Sequence, residues 1–106
     1  MAPEPAHVTE DTERNGHRVL RIRGELDMAS RETVEPALTD AAKSGESVIL
    51  DISEVSFCDS SGISMFFALH GKAVAAGGKL TIRDPMPAVR RVIEITNLDS
   101  VITVTG

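Results

Sequence analysis

The side chains with chemistry to offer cluster in one stretch of this sequence. Asp59-Ser60-Ser61-Gly62 sets two hydroxyls beside a carboxylate. A serine hydroxyl acts as a nucleophile only when a base takes its proton and donors hold the resulting oxyanion. The bases are badly placed for that. His70 lies ten residues further along what reads as one helix, about 15 Å of rise from Ser60. His7 and His17 fall in the opening strands and read as surface residues. No Gly-x-Ser-x-Gly elbow surrounds the serine, and no Gly-x-x-x-x-Gly-Lys-Ser/Thr loop is present to cradle a nucleotide. On local sequence, Asp59 or Ser60 reads as a cap for the free N–H groups of a helix. Asp27 and Asp59 together have the chemistry to attract a divalent cation, but carboxylates so far apart in sequence read as solvated loop charges. Cys58, in an apolar context, reads as a small core residue rather than a redox sensor. No catalytic residue, metal ligand or cofactor is expected.

The elements that must position this motif belong to a small acidic protein. The chain has 106 residues, 42% of them hydrophobic and 25% charged, which is the balance of one globular domain. A net charge of −5 with three Phe and no Tyr or Trp argues against nucleic acid as a partner. The longest apolar run, Met65 to Leu69, stops at His70 and is far too short to span a bilayer. The opening Met-Ala-Pro-Glu-Pro lacks a basic region followed by an apolar stretch, so no secretory leader is expected. The one cysteine, which has no internal disulfide partner, fits the reducing cytoplasm.

Residues 1–6 read as a loose tail and 7–106 as the domain. Two strand-like runs, about 7–14 and 17–24, meet at Asn15-Gly16, the pair best suited to a two-residue hairpin turn. In the second run Val19, Arg21 and Arg23 alternate with Leu20, Ile22 and Gly24, so the arginines share one side. After Asp27 the period becomes helical. Ser30 is the expected N-cap, Val34, Ala37, Leu38, Ala41 and Ala42 form the apolar face, and Gly45 marks the end. Pro36 predicts a kink or a late start. Ser47–Ile52 has the Val-Ile-Leu content of a central strand covered on both faces. A second helix spans 60–76 and closes at Gly77-Gly78. A strand follows at 80–83, then a third helix opening at Asp84-Pro85-Met86-Pro87 with Ala88, Val89, Val92 and Ile93 apolar and Asn97 as its stop. The last strand covers 101–104.

The order is β-β-α-β-α-β-α-β, an α/β domain with a mixed, mostly parallel sheet and right-handed crossovers. Loops leaving the C-terminal ends of parallel strands gather on one rim, where ligands favour binding. The second strand exits into Glu25-Leu26-Asp27 and the third through 53–58 into Asp59, which predicts Asp27 and Ser60 on the same rim.

Here the chain resembles the STAS-domain family of bacterial anti-sigma-factor antagonists. The matching pieces are Gly24-Glu25-Leu26-Asp27, then Val55-Ser56-Phe57-Cys58-Asp59-Ser60-Ser61-Gly62-Ile63, then Gly77-Gly78 before a strand, and Pro87-Ala88-Val89-Arg90-Arg91-Val92. They cover the chain from about His7 onward, in the family's order and spacing. The resemblance implies a STAS-like fold and a partner switch without catalytic turnover of its own. Such a protein binds an anti-sigma factor that is also a serine kinase with a GHKL-type ATP site, and binding frees the sigma factor. Phosphorylation of the first serine of the motif, here Ser60, ends the interaction, and a serine phosphatase resets it. Asp59 would orient the motif and meet the kinase, Gly62 would let backbones approach closely, Asp27 would shape the neighbouring rim, and Ser61 would join the contact. Two positions depart from the family pattern: Ser64 stands where many members have glycine or alanine, and Pro36 interrupts the first helix. Ser64 and Met65 are placed to tune partner choice.

The residue chemistry agrees with a switch. Phosphoserine carries about −1.5 to −2 charge, which suits a helix N-terminus yet repels an acidic or apolar partner surface, so docking can fail while the fold survives. On the second helix Ile63, Phe66, Phe67, His70 and Val74 form the expected core stripe. Met65 and Leu69 lie partly off it, as buried residues of a second side or as exposed partner contacts; Ala68 reads as buried. The alternative function is that of a STAS ligand-sensing or scaffolding subunit in a transporter or stress-signalling complex.

Overall fold

A computed structural model describes residues 6–12 and 16–106. The elements are β1 (His7–Thr12), β2 (Arg18–Leu26), α1 (Met28–Ala42), β3 (Ser47–Cys58), α2 (Ser60–Ala75), β4 (Lys79–Arg83), α3 (Pro87–Ile95) and β5 (Thr103–Thr105), with a 3₁₀ turn at Leu98–Ser100. The sheet order is β1-β2-β3-β4-β5. β1 runs antiparallel to β2, and the remaining pairs are parallel. The expected α/β order and mixed sheet are therefore present. Asn15, half of the expected hairpin turn, lies outside the described residues, as do residues 1–5. Gly16 has the positive φ (+77°) that such a turn requires. Ala6, assigned to the tail by sequence, is buried and belongs to the core.

The alternation in β2 sends Leu20, Ile22 and Leu26 to one face, where they join Val48, Leu50, Ile52, Leu80 and Ile82. The buried side chains of all three helices enter this same cluster, including Val34 and Leu38 of α1, Phe66 and Leu69 of α2, and Val89 and Ile93 of α3. Val19 is buried but stands outside it. The helices thus cover one face, and the expectation that β3 is covered on both is corrected. Its second face carries Ser47, Ile49 and Asp51, with Ile49 beside the buried Val19 of β2. Asp51 pairs in register with Arg21 on one side and Arg83 on the other. Its carboxylate lies 3.7 Å from Arg21 and 3.3 Å from Arg83, and accepts the Ser53 hydroxyl (2.7 Å) and N–H (3.0 Å). Asp51 is only 4% exposed. Burial acts to raise its pKa, but the Ser53 bonds and the Arg83 charge outweigh that and hold it below the usual carboxylate range. Arginine stems and an ion cluster, rather than helices, shelter this face.

β3 is twice the length expected. Residues 53–58, read as an exit loop, stay paired with β2 through two register shifts. These are β-bulges, and each breaks the period-two pattern by which a strand is recognised in sequence. They also bring the two strands to a level finish, with Leu26 opposite Cys58. The cap of α1 lies three residues before the expected one, since Asp27 and not Ser30 closes its N-terminus. The helix runs through Pro36, so the late start is corrected too. Pro36 and Ala37 sit on the solvent side, where water can serve the carbonyl that the proline leaves unbonded. Ala88 of α3 is likewise exposed. No helix among the described residues is long and apolar enough to cross a membrane.

Candidate functional site

The level finish of β2 and β3 places two helix N-termini side by side. Leu26 and Cys58 are both buried, and the residue after each is an aspartate that caps the next helix. Asp27 Oδ1 accepts the Ser30 N–H at 2.8 Å. Asp59 Oδ1 accepts those of Ser61 (2.8 Å) and Gly62 (3.4 Å). The Asp59 N–H itself donates to the Leu26 carbonyl at 3.1 Å, tying the second cap to the end of β2. Asp27 and Ser60 therefore share one rim, as the crossover argument requires. The Ser30 N–H, its hydroxyl adding to the effect, holds the Asp27 carboxyl below its ordinary range.

Ser60 occupies the first position of α2 and is exposed, whereas Ser61 is half-buried. The Ser61 carbonyl also accepts a bond from the Arg31 guanidinium at 3.3 Å, so α1 reaches across into the first turn of α2. Gly62 is where this turn meets the strands. A Cβ there would lie 2.5 Å from Cys58 Sγ and 3.1 Å from Leu26 Cβ, so the close approach expected of Gly62 is real. Cys58 is buried, and burial first, then the Asp59 charge, pushes its thiol up to about 12. A thiol so disposed stays protonated and unreactive. His17 is half-buried, with Nδ1 2.8 Å from Ser47 Oγ, and so has a structural partner. Among the described residues no cluster of three or more His, Cys, Asp or Glu is arranged to hold a metal ion. Asp59 Oδ1 beside Ser60 accepts two amides of the first turn, and the arrangement presents an exposed hydroxyl at the helix N-terminus.

The partner-contact reading of α2 needs correction. Met65 and Leu69 are fully buried and cannot meet a partner. Gly62, Met65, Phe66, Leu69 and Ala73 form the inward stripe, while Phe67 and Val74, expected inside, are 38% and 57% exposed. The cap at Asp59 sets this phase, because Gly62 must face the ends of β2 and β3. With 100° per residue, Ser60, Ser64, Phe67, Gly71 and Val74 then fall along one outward stripe. His70, also expected inside, is half-buried with its Nδ1 fully buried. Two further apolar side chains missed by sequence flank the motif. Met28, in the first position of α1, is 71% exposed, and Phe57, just before Cys58, is 48% exposed.

A family model described as the STAS domain matches residues 9–105. The chain belongs to the STAS family. It is 24% identical over 101 residues to the anti-sigma-B factor antagonist of Bacillus subtilis (strain 168), covering 94% of this chain and 93% of that one. An anti-sigma factor antagonist of Mycobacterium paratuberculosis superposes with a TM-score of 0.81 at 27% identity, over 98% of this chain and 88% of the other. The Bacillus cell fate determinant SpoIIAA, in a structure of its phosphorylated form, superposes at 0.69 with 22% identity, over 94% and 92% of the two chains. This STAS domain accordingly has the SpoIIAA-like fold, with five strands and three helices.

Proposed function

We propose that this STAS protein is an anti-sigma-factor antagonist that binds an anti-sigma factor bearing a GHKL-type serine kinase domain and so frees a sigma factor. Phosphorylation of Ser60 by that kinase ends the interaction, and a serine phosphatase restores it. The protein is a substrate and binding partner and turns nothing over itself. The contact surface is formed by Asp27, Asp59, Ser61 and Ser64, extended by Met28, Phe57, Phe67 and Val74 in place of Met65, Leu69 and Gly62, which is buried against the strands and seats the helix rather than meeting a partner.

One observation carries this reading: Ser60 is an exposed hydroxyl at a helix N-terminus, on the outward stripe of α2 that carries Phe67 about two turns on, with exposed Met28 and Phe57 in the segments that adjoin the two caps. An apolar surface of this kind marks an interaction site. A phosphate at its edge must be stripped of water when a partner docks, and a desolvated, unpaired charge is costly. The same phosphate sits at a helix pole that tolerates negative charge, so the fold persists. The names of the relatives support the general role, and SpoIIAA supplies a precedent for a phosphorylated form on this fold.

The test is calorimetric titration of candidate anti-sigma kinases with the unmodified protein, Ser60→Ala and the Ser60-phosphorylated form, with circular dichroism to confirm folding. Unmodified protein and Ser60→Ala are expected to bind alike, and ATP is expected to release the former only. Phosphorylated protein that binds its kinase as tightly as the unmodified form would show the switch to be wrong.

A further inference from the structure

The pole of α2 that would receive a phosphate already carries a negative group. Asp59 Oδ1 accepts the N–H groups of Ser61 and Gly62, which are among the amides that an anion at a helix N-terminus normally engages. A phosphoserine at position 60 therefore brings about −1.5 to −2 charge beside a fixed carboxylate, with those two donors taken. Its charge needs another partner nearby.

Arg31 has the position and the donors. Its guanidinium lies in the gap between α1 and α2, 27% exposed, with Nε and Nη2 each 3.0 Å from Glu35 Oε2 one turn along α1. Its third nitrogen, Nη1, already reaches the Ser61 carbonyl, 3.3 Å away, one residue from Ser60. The Ser61 carbonyl points along α2, and the Ser60 side chain stands about 100° round the helix from that of Ser61. The pairing therefore calls for the long Arg31 side chain to let go of the carbonyl and of Glu35 and swing toward the helix N-terminus. The exchange is favourable in kind. Glu35 offers one unit of charge at a half-exposed site, where an i,i+4 pair contributes little. A phosphate offers up to two units and three oxygens that match the planar guanidinium fork.

We propose that Arg31 is the counter-ion of phosphorylated Ser60: on modification the guanidinium leaves Glu35 and pairs with the phosphate across the α1–α2 gap. The second ionisation of phosphoserine, with a pKa near 6, falls close to the pH of the cell interior. A paired guanidinium stabilises the dianion and keeps the phosphate fully charged through small changes in pH, so release of the partner stays complete.

This inference rests on Ser60 being the acceptor, but its test does not require a kinase. Phosphoserine is installed at position 60 of the full chain during translation, and the phosphate is titrated by phosphorus NMR from about pH 4 to 9 in wild type, Arg31→Gln, Arg31→Lys and Glu35→Gln. Arg31→Gln is expected to raise the second phosphate pKa by about half a unit or more, and Arg31→Lys by less. Glu35→Gln, which removes the competitor while keeping Arg31, is expected to lower it. A merely structural role for Arg31 moves none of these values in a folded protein. Equal phosphate pKa values in wild type and Arg31→Gln overturn the pairing, as does a lysine variant that titrates with the glutamine one or a rise in Glu35→Gln. Such a result leaves the kinase switch standing. Conversely, a kinase that never modifies Ser60 removes the switch without touching the pairing.

Discussion

The two helix N-termini on the rim use one device and differ in what it presents. In both, a buried strand-end residue, Leu26 or Cys58, is followed by an aspartate whose carboxylate caps the next helix. The third helical position is Ser30 in α1 and Gly62 in α2, and the first is Met28 or Ser60. Each carboxylate closes its own helix, and the α2 cap is in addition tied to the end of β2 through the Asp59 N–H and the Leu26 carbonyl. The third position decides how closely a helix settles onto the strands. The first position decides what a partner meets. The α2 terminus is the one that combines close seating with an exposed hydroxyl, and that combination turns a structural repeat into a switch.

The largest expected effect breaks the comparison at the third position. A side chain at Gly62 meets Cys58 Sγ at a distance no packed Cβ sustains and presses tightly on Leu26 Cβ. Gly62→Val is expected to lower the unfolding free energy by about 3 kcal/mol, the upper range for overpacking. Gly62→Ala is expected to lose about 1 kcal/mol, because the better helix propensity of alanine offsets part of the clash. Ser30→Ala at the matching place in α1 should stay within about 0.5 kcal/mol, as expected for a substitution away from the core. Urea denaturation compares the three. If steric conflict with Cys58 is the cause, Gly62→Ala combined with Cys58→Ala loses less than the two single changes added together. Strict additivity would mean that the helix is seated by something else.

A smaller effect separates the caps themselves. Asp59→Ala removes an acceptor for two amides and a neighbour of the motif, and is expected to cost about 1–2 kcal/mol. Asp27→Ala, which frees a single amide, should cost less. Acid sharpens the distinction for Asp27. Its folded pKa lies below the ordinary value, chiefly through the Ser30 N–H, so its stabilisation is complete above about pH 4 and is lost as the pH falls through the depressed folded value. The stability gap between wild type and Asp27→Asn should therefore narrow between about pH 5 and pH 2. Asp51 on the open sheet face has the same sign: Asp51→Asn should be less stable than wild type at neutral pH and converge with it in acid. A gap for either residue that widens on acidification would reverse the assigned sign.

How much of this was legible in sequence follows from which signals are local. The element order and the shared rim follow from period changes and from the handedness of β-α-β crossovers, and both are present. The Asp59 cap, the hydroxyl of Ser60 and the need for glycine at 62 were readable from the motif. The length of β3 was not, because bulges that align Leu26 with Cys58 depend on pairing with β2 and erase the alternation of residues 53–58. The phase of α2 was misread for a related reason. Two stripes a residue apart were nearly equal in apolar content, and tertiary seating of Gly62 selected the one that buries Met65 and Leu69 and exposes Phe67 and Val74. Arg31 gave no local sign at all. Its value lies in the gap between two helices whose packing no window of sequence contains.

The smallest effect on stability is expected at the first helical positions, where the effect on binding is largest. Met28 and Ser60 are both exposed, and neither side chain has a core to fill. Met28→Ser and Ser60→Ala should each leave the unfolding free energy within about 0.5 kcal/mol. Ser60→Asp adds a charge that the helix dipole favours by about 0.3–1 kcal/mol, but Asp59 stands next to it with the same sign, so little net change should remain. Binding should part company with stability. Ser60→Asp places a charge within the apolar contact and is expected to weaken the kinase complex at least tenfold, about 1.4 kcal/mol. Phosphoserine, with more charge and more oxygens, should weaken it further. Met28→Ser removes apolar area from the flank without adding charge and should weaken it only a few-fold. The ordering phosphoserine, then aspartate, then Met28→Ser, measured by calorimetry on variants of equal thermal stability, is what a charge-operated switch on an apolar rim requires. If Met28→Ser costs more affinity than Ser60→Asp, the two termini divide the work differently: apolar contact at α1 holds the partner, and charge at α2 does not release it.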